Sequence, residues 1–294
     1  MEKVNCNLCG SKETRHLFTI QSLNLVKCKK CNLVYVNPRY TETELKSIYE
    51  ENYFENPRFY EDGLGHYGYD QYFLDKENIQ MNFEHRLNTI MKLTKSGRLL
   101  DIGCAAGFFL DLARKRGWKV SGIELSPDAI KFSKEKLKLS VKKGDIDKTK
   151  LSRSLYEAVT LFDVIEHLPN PYKALRKINA SLKPGGIIVI TTPDVGSIAA
   201  RILGKNWLEF KRIREHIYFF SRETISKMLE KSGFEVVKIE TTGRYFTLKS
   251  AFEFMSLQNK RFKPVSSAMK HLGLGGIKLH INPMYKMTAY ARKA

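Results

Sequence analysis

The sequence predicts an α/β protein: a mostly parallel sheet covered on both faces, preceded by a small cysteine-rich module. Three observations predict it. From residue 96 to about residue 243, short apolar runs alternate with amphipathic segments at spacings that suit right-handed crossovers. The first such run leads through glycines into a helical pattern, and two Cys-x-x-Cys pairs fall within the first 31 residues.

The run Arg98-Leu-Leu-Asp-Ile-Gly-Cys-Ala-Ala-Gly-Phe-Phe-Leu110 reads as strand, glycine turn, helix. The helix carries cations in its last turn and stops at Gly117. Glycines at such a turn let a ligand approach the backbone, and the helix N-terminus supplies free N–H groups. A dinucleotide fingerprint would need Gly-x-Gly-x-x-Gly, with an acid only after the second strand. Here the glycines are spaced Gly-x-x-x-Gly, Asp101 precedes them, and Glu124 ends the next apolar run, Val120-Ser-Gly-Ile-Glu124, where a ribose diol could be held.

These residues resemble motif I and its successor in class I S-adenosylmethionine (SAM) methyltransferases. The resemblance implies that Asp101 and the loop Gly103, Cys104 and Gly107 hold the methionine part. It implies that Glu124, with Leu125 after it, grips the ribose. Ala105 departs from the family's Asp-x-Gly-x-Gly-x-Gly, and a small residue is expected to be tolerated there.

Ser126-Pro-Asp begins the next helix with an N-cap serine and a first-turn proline. A strand over Leu139–Lys143 then ends at Gly144-Asp145-Ile146, and by resemblance Asp145 and Ile146 meet the adenine. The stretch Ala158-Val-Thr-Leu-Phe-Asp-Val-Ile-Glu-His-Leu-Pro-Asn-Pro171 resembles the fourth-strand motif of ubiquinone-type and related small-molecule methyltransferases. It implies that the strand end at Phe162 lies against the sulfonium and that Glu166-His167 faces the acceptor. Leu182-Lys-Pro-Gly-Gly186 turns into a strand over 187–192. Glu235–Glu240 and Met287–Lys293 read as the last two strands, an antiparallel pair in this fold. The resemblance thus implies a Rossmann-like seven-stranded, mostly parallel sheet with an antiparallel last strand. The cofactor then belongs at the carboxyl ends of the strands, where Gly103, Glu124, Asp145 and Phe162 fall.

At the N-terminus, Cys6-Asn-Leu-Cys9-Gly10 and Cys28-Lys-Lys-Cys31-Asn32 have the spacing of a zinc ribbon. Four thiolates leave no open position, so the zinc is structural. Two disulfides are the alternative, but no basic-then-apolar leader is seen, and a cytoplasmic, reducing setting is expected. So small a segment cannot bury enough apolar surface alone, and metal binding is expected to fold it. The chain then divides into a ribbon at 1–36, a cover segment at 37–95 and the SAM domain at 96–294. In the cover, Thr41-x-x-Glu44 is a capping box opening a short helix through Leu45, Ile48 and Tyr49. Aromatic-rich residues 52–73 read as a loop over the cofactor cleft, and a longer helix shows one face of Ile79, Phe83, Leu87, Ile90 and Met91. This stretch resembles the front end of bacterial zinc-ribbon methyltransferases, many of them in surface-glycan or secondary-metabolite pathways.

His167 is the leading base for a hydroxyl or carbon acceptor, because an imidazole titrates near neutrality. His216 is the second, in a loop whose Trp207, Arg212 and Arg214 suit an anionic acceptor. The resemblance to quinone-type methyltransferases implies an alternative role for Asp163, Glu166 and His167, as a divalent-ion set. The net charge of +19 fits nucleic acid, an anionic membrane, an anionic substrate or simply a lysine-rich surface. A basic aromatic insertion at about 244–282, with Phe246, Leu248, Phe252, Met255, Lys249, Lys260 and Arg261, reads either as a hairpin on its own domain or as a peripheral contact with the inner membrane face. The expected acceptor is a small or lipid-linked molecule, methylated on O or C. An RNA base is the rival, although the Asn/Asp-Pro-Pro-aromatic signature of amino-methylating enzymes is absent after strand four. A SAM-binding protein without activity is the third class.

Overall fold

The computed structural model describes residues 1–45, 76–248, 277–282 and 285–294. An antiparallel meander opens the chain: β1 (Thr14–Ile20), β2 (Leu23–Cys28) and β3 (Val34–Val36). A helical turn at 42–45 follows, and Thr41 and Glu44 cap it reciprocally, with Thr41 N–H to Glu44 Oε2 at 2.8 Å. Ile48, Tyr49 and the predicted 52–73 loop lie outside the described residues. Helix α1 (Lys76–Leu93) buries Leu87 and Ile90. Met91, expected on that face, is exposed. It sits one step round the helix from Ile90, about 100° away, and so leaves the buried stripe.

Alternating elements then build the main sheet. They are β4 (Arg98–Ile102), α2 (Phe108–Lys115), β5 (Lys119–Glu124), α3 (Pro127–Glu135), β6 (Val141–Lys143), β7 (Tyr156–Phe162), a 3-10 turn at Ile165–His167, α4 (Pro171–Ser181) and β8 (Leu182–Pro193). Short helices α5 (Ile198–Leu203) and α6 (Leu208–Lys211) lead to β9 (Tyr218–Phe219). Then come α7 (Arg222–Lys231), β10 (Phe234–Thr241), β11 (Arg244–Thr247), β12 (Lys278–Ile281) and β13 (Lys286–Lys293). The predicted cap is in place, with Ser126 Oγ accepting from Ala129 N–H, and Ser221 forms a capping box with Thr224.

The strand order is β10-β13-β8-β7-β4-β5-β6. The pairs from β8 to β6 are parallel, and β13 alone runs against its neighbours β8 and β10. The central strands β7, β4 and β8 are buried along nearly their whole length, as the continuous apolar runs require of a sheet covered on both faces. Strand β8 starts five residues before the expected Ile187. Its ladder with β7 jumps from Tyr156↔Leu182 to Ala158↔Ile187, so the Pro-Gly-Gly turn bulges out within the strand. Of the basic insertion, 249–276 lies outside the described residues; its two ends pair as β11 and β12.

The N-terminal meander does not stand apart. Strand β9, from beyond β8, adds to β3 as the fourth strand of its sheet. Cys6, Leu8, Val26, Leu33 and Tyr35 share one apolar cluster with Leu100, Val159, Ile190 and Leu229. A second cluster joins Leu25, Val34 and Val36 to Trp207, Phe210 and Phe219. The small segment thus finds on the main domain the apolar partners it cannot supply for itself.

Candidate active site

At the carboxyl end of β4 the chain turns through Gly103 (φ 71°) into Gly107 (φ 82°), which caps α2. Both glycines are required. A Cβ on Gly103 would stand 2.4 Å from Val164 Cγ2, and one on Gly107 2.6 Å from Leu139 Cδ1. Ala105 also takes a positive φ, 46°, and its N–H donates to Glu124 Oε2 at 2.7 Å. The departure from glycine is therefore accommodated, with the loop closed onto the acid of the neighbouring strand. Glu124 Oε1 accepts from the N–H groups of Leu125 (2.7 Å) and Ser126 (3.0 Å). Three backbone donors so fix the carboxylate at the end of β5.

Asp101 is buried beneath this loop and accepts from Thr160 Oγ1 at 2.6 Å. Burial, with the charge of Glu124 adding to it, pushes its carboxyl up to about 7 against the help of Thr160. Cys104 is a core residue: its Sγ lies where a Cβ on Gly122 would go, so it serves the loop through its backbone. At the end of β6, Asp145 Oδ1 holds Asp147 N–H at 2.9 Å, while Ile146 is buried in the main cluster. Phe162 closes the group from β7, edge-on to Phe109 at 4.9 Å. One residue the sequence reading missed stands here. Arg86 of α1 places its guanidinium over the Phe162 ring at 5.3 Å and the Phe83 ring at 5.7 Å, and its buried Nε has no partner among the described residues.

Beyond Phe162 the chain folds into a second centre. The carboxylate of Asp163 (φ 56°) meets Lys286 Nζ of β13 at 2.8 Å. Although burial opposes it, that ammonium keeps the Asp163 carboxyl below its ordinary value. The side chains of Glu166, His167 and His216 converge, with one ligand-type atom of each within 4.8 Å of the others. The predicted trio of Asp163, Glu166 and His167 is thus not the set that gathers; His216 takes the place of Asp163, which Lys286 holds. Two strips of backbone are stitched together to achieve this. Ile217 N–H donates to the Glu166 carbonyl at 3.0 Å, and His167 Nδ1 lies 3.0 Å from the Glu215 carbonyl. A carbonyl can only accept, so Nδ1 carries the proton and Nε2 the lone pair.

The rings of His167 and His216 meet edge-to-face with centroids 4.6 Å apart. Burial lowers the pKa of both, far more for His216. Burial, then the charge of Asp163, raises Glu166 to about 8, and its Oε2 accepts from Thr192 Oγ1 at 3.0 Å. Two expected acceptor residues are used otherwise. Trp207 is core, packed edge-on to Phe210 at 4.9 Å, because the ribbon strands cover it. Arg212 Nε pairs with Glu215 at 2.5 Å, while Arg214 is exposed.

The four ribbon cysteines also converge, all Sγ atoms within 4.8 Å of one another, with Cys6–Cys31 at 3.4 Å and Cys9–Cys28 at 3.5 Å. Tetrahedral Zn–S bonds of ~2.3 Å put sulfurs about 3.8 Å apart, so the set fits a zinc ion. Each pair sits on a knuckle: Gly10 N–H returns to the Cys6 carbonyl and Asn32 N–H to that of Cys28, both residues at positive φ. Burial raises Cys6 to about 11, whereas at Cys28 donation from the N–H groups of Cys31 and Lys30 outweighs burial and brings the thiol down to about 7.

Residues 76–239, more than half of the chain, match the family described as Methyltransferase domain. The chain belongs to that family. It is a class I SAM-dependent methyltransferase. The methyltransferase is 24% identical over 169 residues to a ubiquinone biosynthesis O-methyltransferase of Coxiella burnetii, covering 54% of this chain and 72% of that one. It is 30% identical over 119 residues to the protein of the same name from Alkalilimnicola ehrlichii, of which it spans 48%. Among solved structures, a SAM-dependent methyltransferase from Archaeoglobus fulgidus superposes with a TM-score of 0.51 at 23% identity, covering 76% of this chain and 99% of that one. One from Mesorhizobium loti gives 0.50 at 17% identity, covering 72% and 97%. These likenesses are of fold.

Proposed function

We propose that the methyltransferase transfers the methyl group of SAM to a hydroxyl oxygen of a small molecule, and that Glu166, His167 and His216 form the acceptor side. The observation that carries this reading is position. The cluster follows Phe162 at the carboxyl end of β7, next to the strand that carries the glycine loop. The O-methyltransferase names of the relatives support oxygen as the methylated atom. Transfer is an in-line displacement: the oxygen lone pair attacks the methyl carbon, the C–S bond breaks toward sulfur, and the hydroxyl proton is lost. Alignment supplies much of the acceleration, and His167 and His216 are assigned to activating the hydroxyl.

On the cofactor side, Asp101, Gly103, Cys104, Gly107, Glu124, Leu125, Asp145, Ile146 and Phe162 are assigned to SAM. Arg86, a cation beside Phe162 with an unpartnered Nε, is assigned to its carboxylate. Cys6, Cys9, Cys28 and Cys31 are assigned to a structural zinc ion. The division at residues 36 and 95, a cytoplasmic location, and a surface-glycan, secondary-metabolite or lipid-linked acceptor belong to the same reading, with the basic 244–282 insertion as either a hairpin on its own domain or a peripheral membrane contact. No helix among the described residues is long and apolar enough to cross a membrane.

The test is transfer of labelled methyl from SAM into an extract fractionated into RNA, lipid and small solutes, with Asp101→Ala as the blank. Label in lipid or small solutes is expected. Ribonuclease-releasable label would replace this reading with RNA methylation.

A further inference from the structure

The connection between β8 and β9 buries two polar groups that nothing in the described chain satisfies. His216 is 1% exposed and Glu209 of α6 is 8% exposed. Both ring nitrogens of His216 and Glu209 Oε2 have no hydrogen-bond partner among the described residues. A buried polar atom left unpaired costs about 1–3 kcal/mol, so three in one place need an explanation. The two groups face each other: Glu209 Oε2 stands 3.6 Å from His216 Nδ1, just beyond a hydrogen bond. Catalytic hydrogen bonds are often this long until substrate is bound.

The other acids around His216 are committed elsewhere. Asp163 is held by Lys286 Nζ at 2.8 Å, and Glu215 by Arg212 Nε at 2.5 Å. Glu166 Oε2 accepts from Thr192 Oγ1, and its carboxyl, raised to about 8, is protonated at neutral pH. His167 Nδ1–H donates to the Glu215 carbonyl, a neutral group that offers an imidazolium no anion. Glu209 is left as the carboxylate set against a ring nitrogen of His216. Burial raises the Glu209 carboxyl, and the charges of Lys286 and Arg212 oppose that rise. Burial, then Arg212, His167 and Lys286, lowers the pKa of His216 and keeps the ring neutral before the reaction.

We propose that Glu209 is the positioning residue of the acceptor base: it holds the proton on His216 Nδ1, so that Nε2 presents its lone pair to the acceptor hydroxyl. The inference rests on the reading of hydroxyl methylation above, and it makes His216 the base and leaves His167 to orient the hydroxyl. The acceptor O–H bond breaks as its proton passes to Nε2. The oxygen lone pair attacks the methyl carbon, and the C–S bonding pair returns to sulfur. His216 becomes an imidazolium, which the Glu209 carboxylate stabilises through Nδ1–H, strongly because both groups are buried.

The experiment is nitrogen NMR of the zinc-replete full chain with isotope-labelled histidine, where the ring shifts tell an Nδ1–H from an Nε2–H tautomer and His216→Ala identifies the His216 signals. His216 is expected as Nδ1–H in the wild type and as Nε2–H or a mixture in Glu209→Leu. Transfer of labelled methyl from SAM into the lipid or small-solute fraction should fall roughly 10–100-fold in Glu209→Leu and recover in part in Glu209→Asp, with SAM affinity unchanged as the proof of folding. Glu209→Gln can still accept from Nδ1–H but carries no charge. Its tautomer should stay while the acid limb of the transfer rate moves to lower pH, because the imidazolium has lost its anion. An Nε2–H ring in the wild type, or a tautomer and a transfer rate unchanged in Glu209→Leu, would overturn the proposal. If the tautomer follows Glu209 but the label is found on nitrogen or carbon, the Glu209–His216 pair stands and the reading of the reaction fails.

Discussion

The two halves of the proposed active site are built in opposite ways. The cofactor half comes from neighbours in sequence: a strand, a glycine turn and a helix N-terminus within residues 98–115, then Glu124 and Asp145 at the ends of the next two strands. The acceptor half is assembled from distant pieces. Glu166 and His167 lie beyond β7, His216 and Glu209 in the connection after β8, and Lys286 on the last strand. What holds that half together is the cysteine ribbon. Arg39, three residues past the ribbon, reaches the Pro169 carbonyl at 2.9 Å and Tyr218 Oη at 3.0 Å. Asn7, inside the first cysteine knuckle, bonds Asn170 and Tyr172 at the start of α4. Val36 N–H takes the Ile217 carbonyl, and β9 pairs with β3. Both histidine strips are thus gripped by the same 39 residues, which among the described residues make no hydrogen bond or ion pair to the glycine loop. The difference teaches that cofactor binding and acceptor activation should fail separately.

The largest expected effect tests the cofactor half alone. Glu124→Ala removes the acceptor of three backbone N–H groups as well as the proposed ribose contact, and should weaken SAM on the order of 100-fold by calorimetry. The effect should appear with the ribbon's zinc undiminished. Next, stripping the ribbon with a chelator should abolish turnover while SAM affinity changes only a few-fold. Parallel loss of both would break the comparison.

A smaller perturbation sharpens it. Arg39→Ala removes the donor to Tyr218 Oη and one of the two donors to the Pro169 carbonyl, which keeps only the Tyr218 hydroxyl, at a cost of about 1–3 kcal/mol. It should lower kcat about tenfold with the Kd for SAM within twofold. An unchanged kcat would remove the ribbon from the acceptor site.

The difference also explains what was legible in the sequence. Asp101, Gly103, Glu124, Asp145 and Phe162 could be named as candidates because strand ends and turns are local, and the α/β alternation puts them at one edge of the sheet. Both cysteine pairs were legible for the same reason. In the acceptor half the residue types were legible but not their partners. Nothing near Asp163 announces Lys286, 123 residues away. A two-residue strand such as β9 has no period to detect, and Trp207 looked like a pocket residue because the ribbon that buries it lies at the other end of the chain. Glu209 lies on a four-residue helix, too short to show a period in the sequence. Arg86 was hidden within an amphipathic pattern that marks only the apolar face of α1.

The smallest effect concerns pH. Asp101 has its carboxyl raised to about 7 in the folded protein, above its unfolded value, so folding favours its protonated form. Its contribution to stability is therefore full below the unfolded value near 4 and is lost as pH rises toward 7. Asp101→Asn should remove that dependence: its thermal unfolding temperature, relative to wild type, should rise between pH 4 and pH 7 and then level off. Parallel curves for the two proteins would show that Asp101 does not titrate there.

The most direct measurement is made on the His167→Ala/His216→Ala double variant, with SAM affinity by calorimetry beside single-turnover methyl transfer to the acceptor found by fractionation. The account predicts SAM binding within about twofold of wild type and methyl transfer reduced by roughly 10²–10⁴-fold. Full transfer with both histidines gone would contradict it, because the acceptor would then be activated somewhere other than the centre the ribbon assembles.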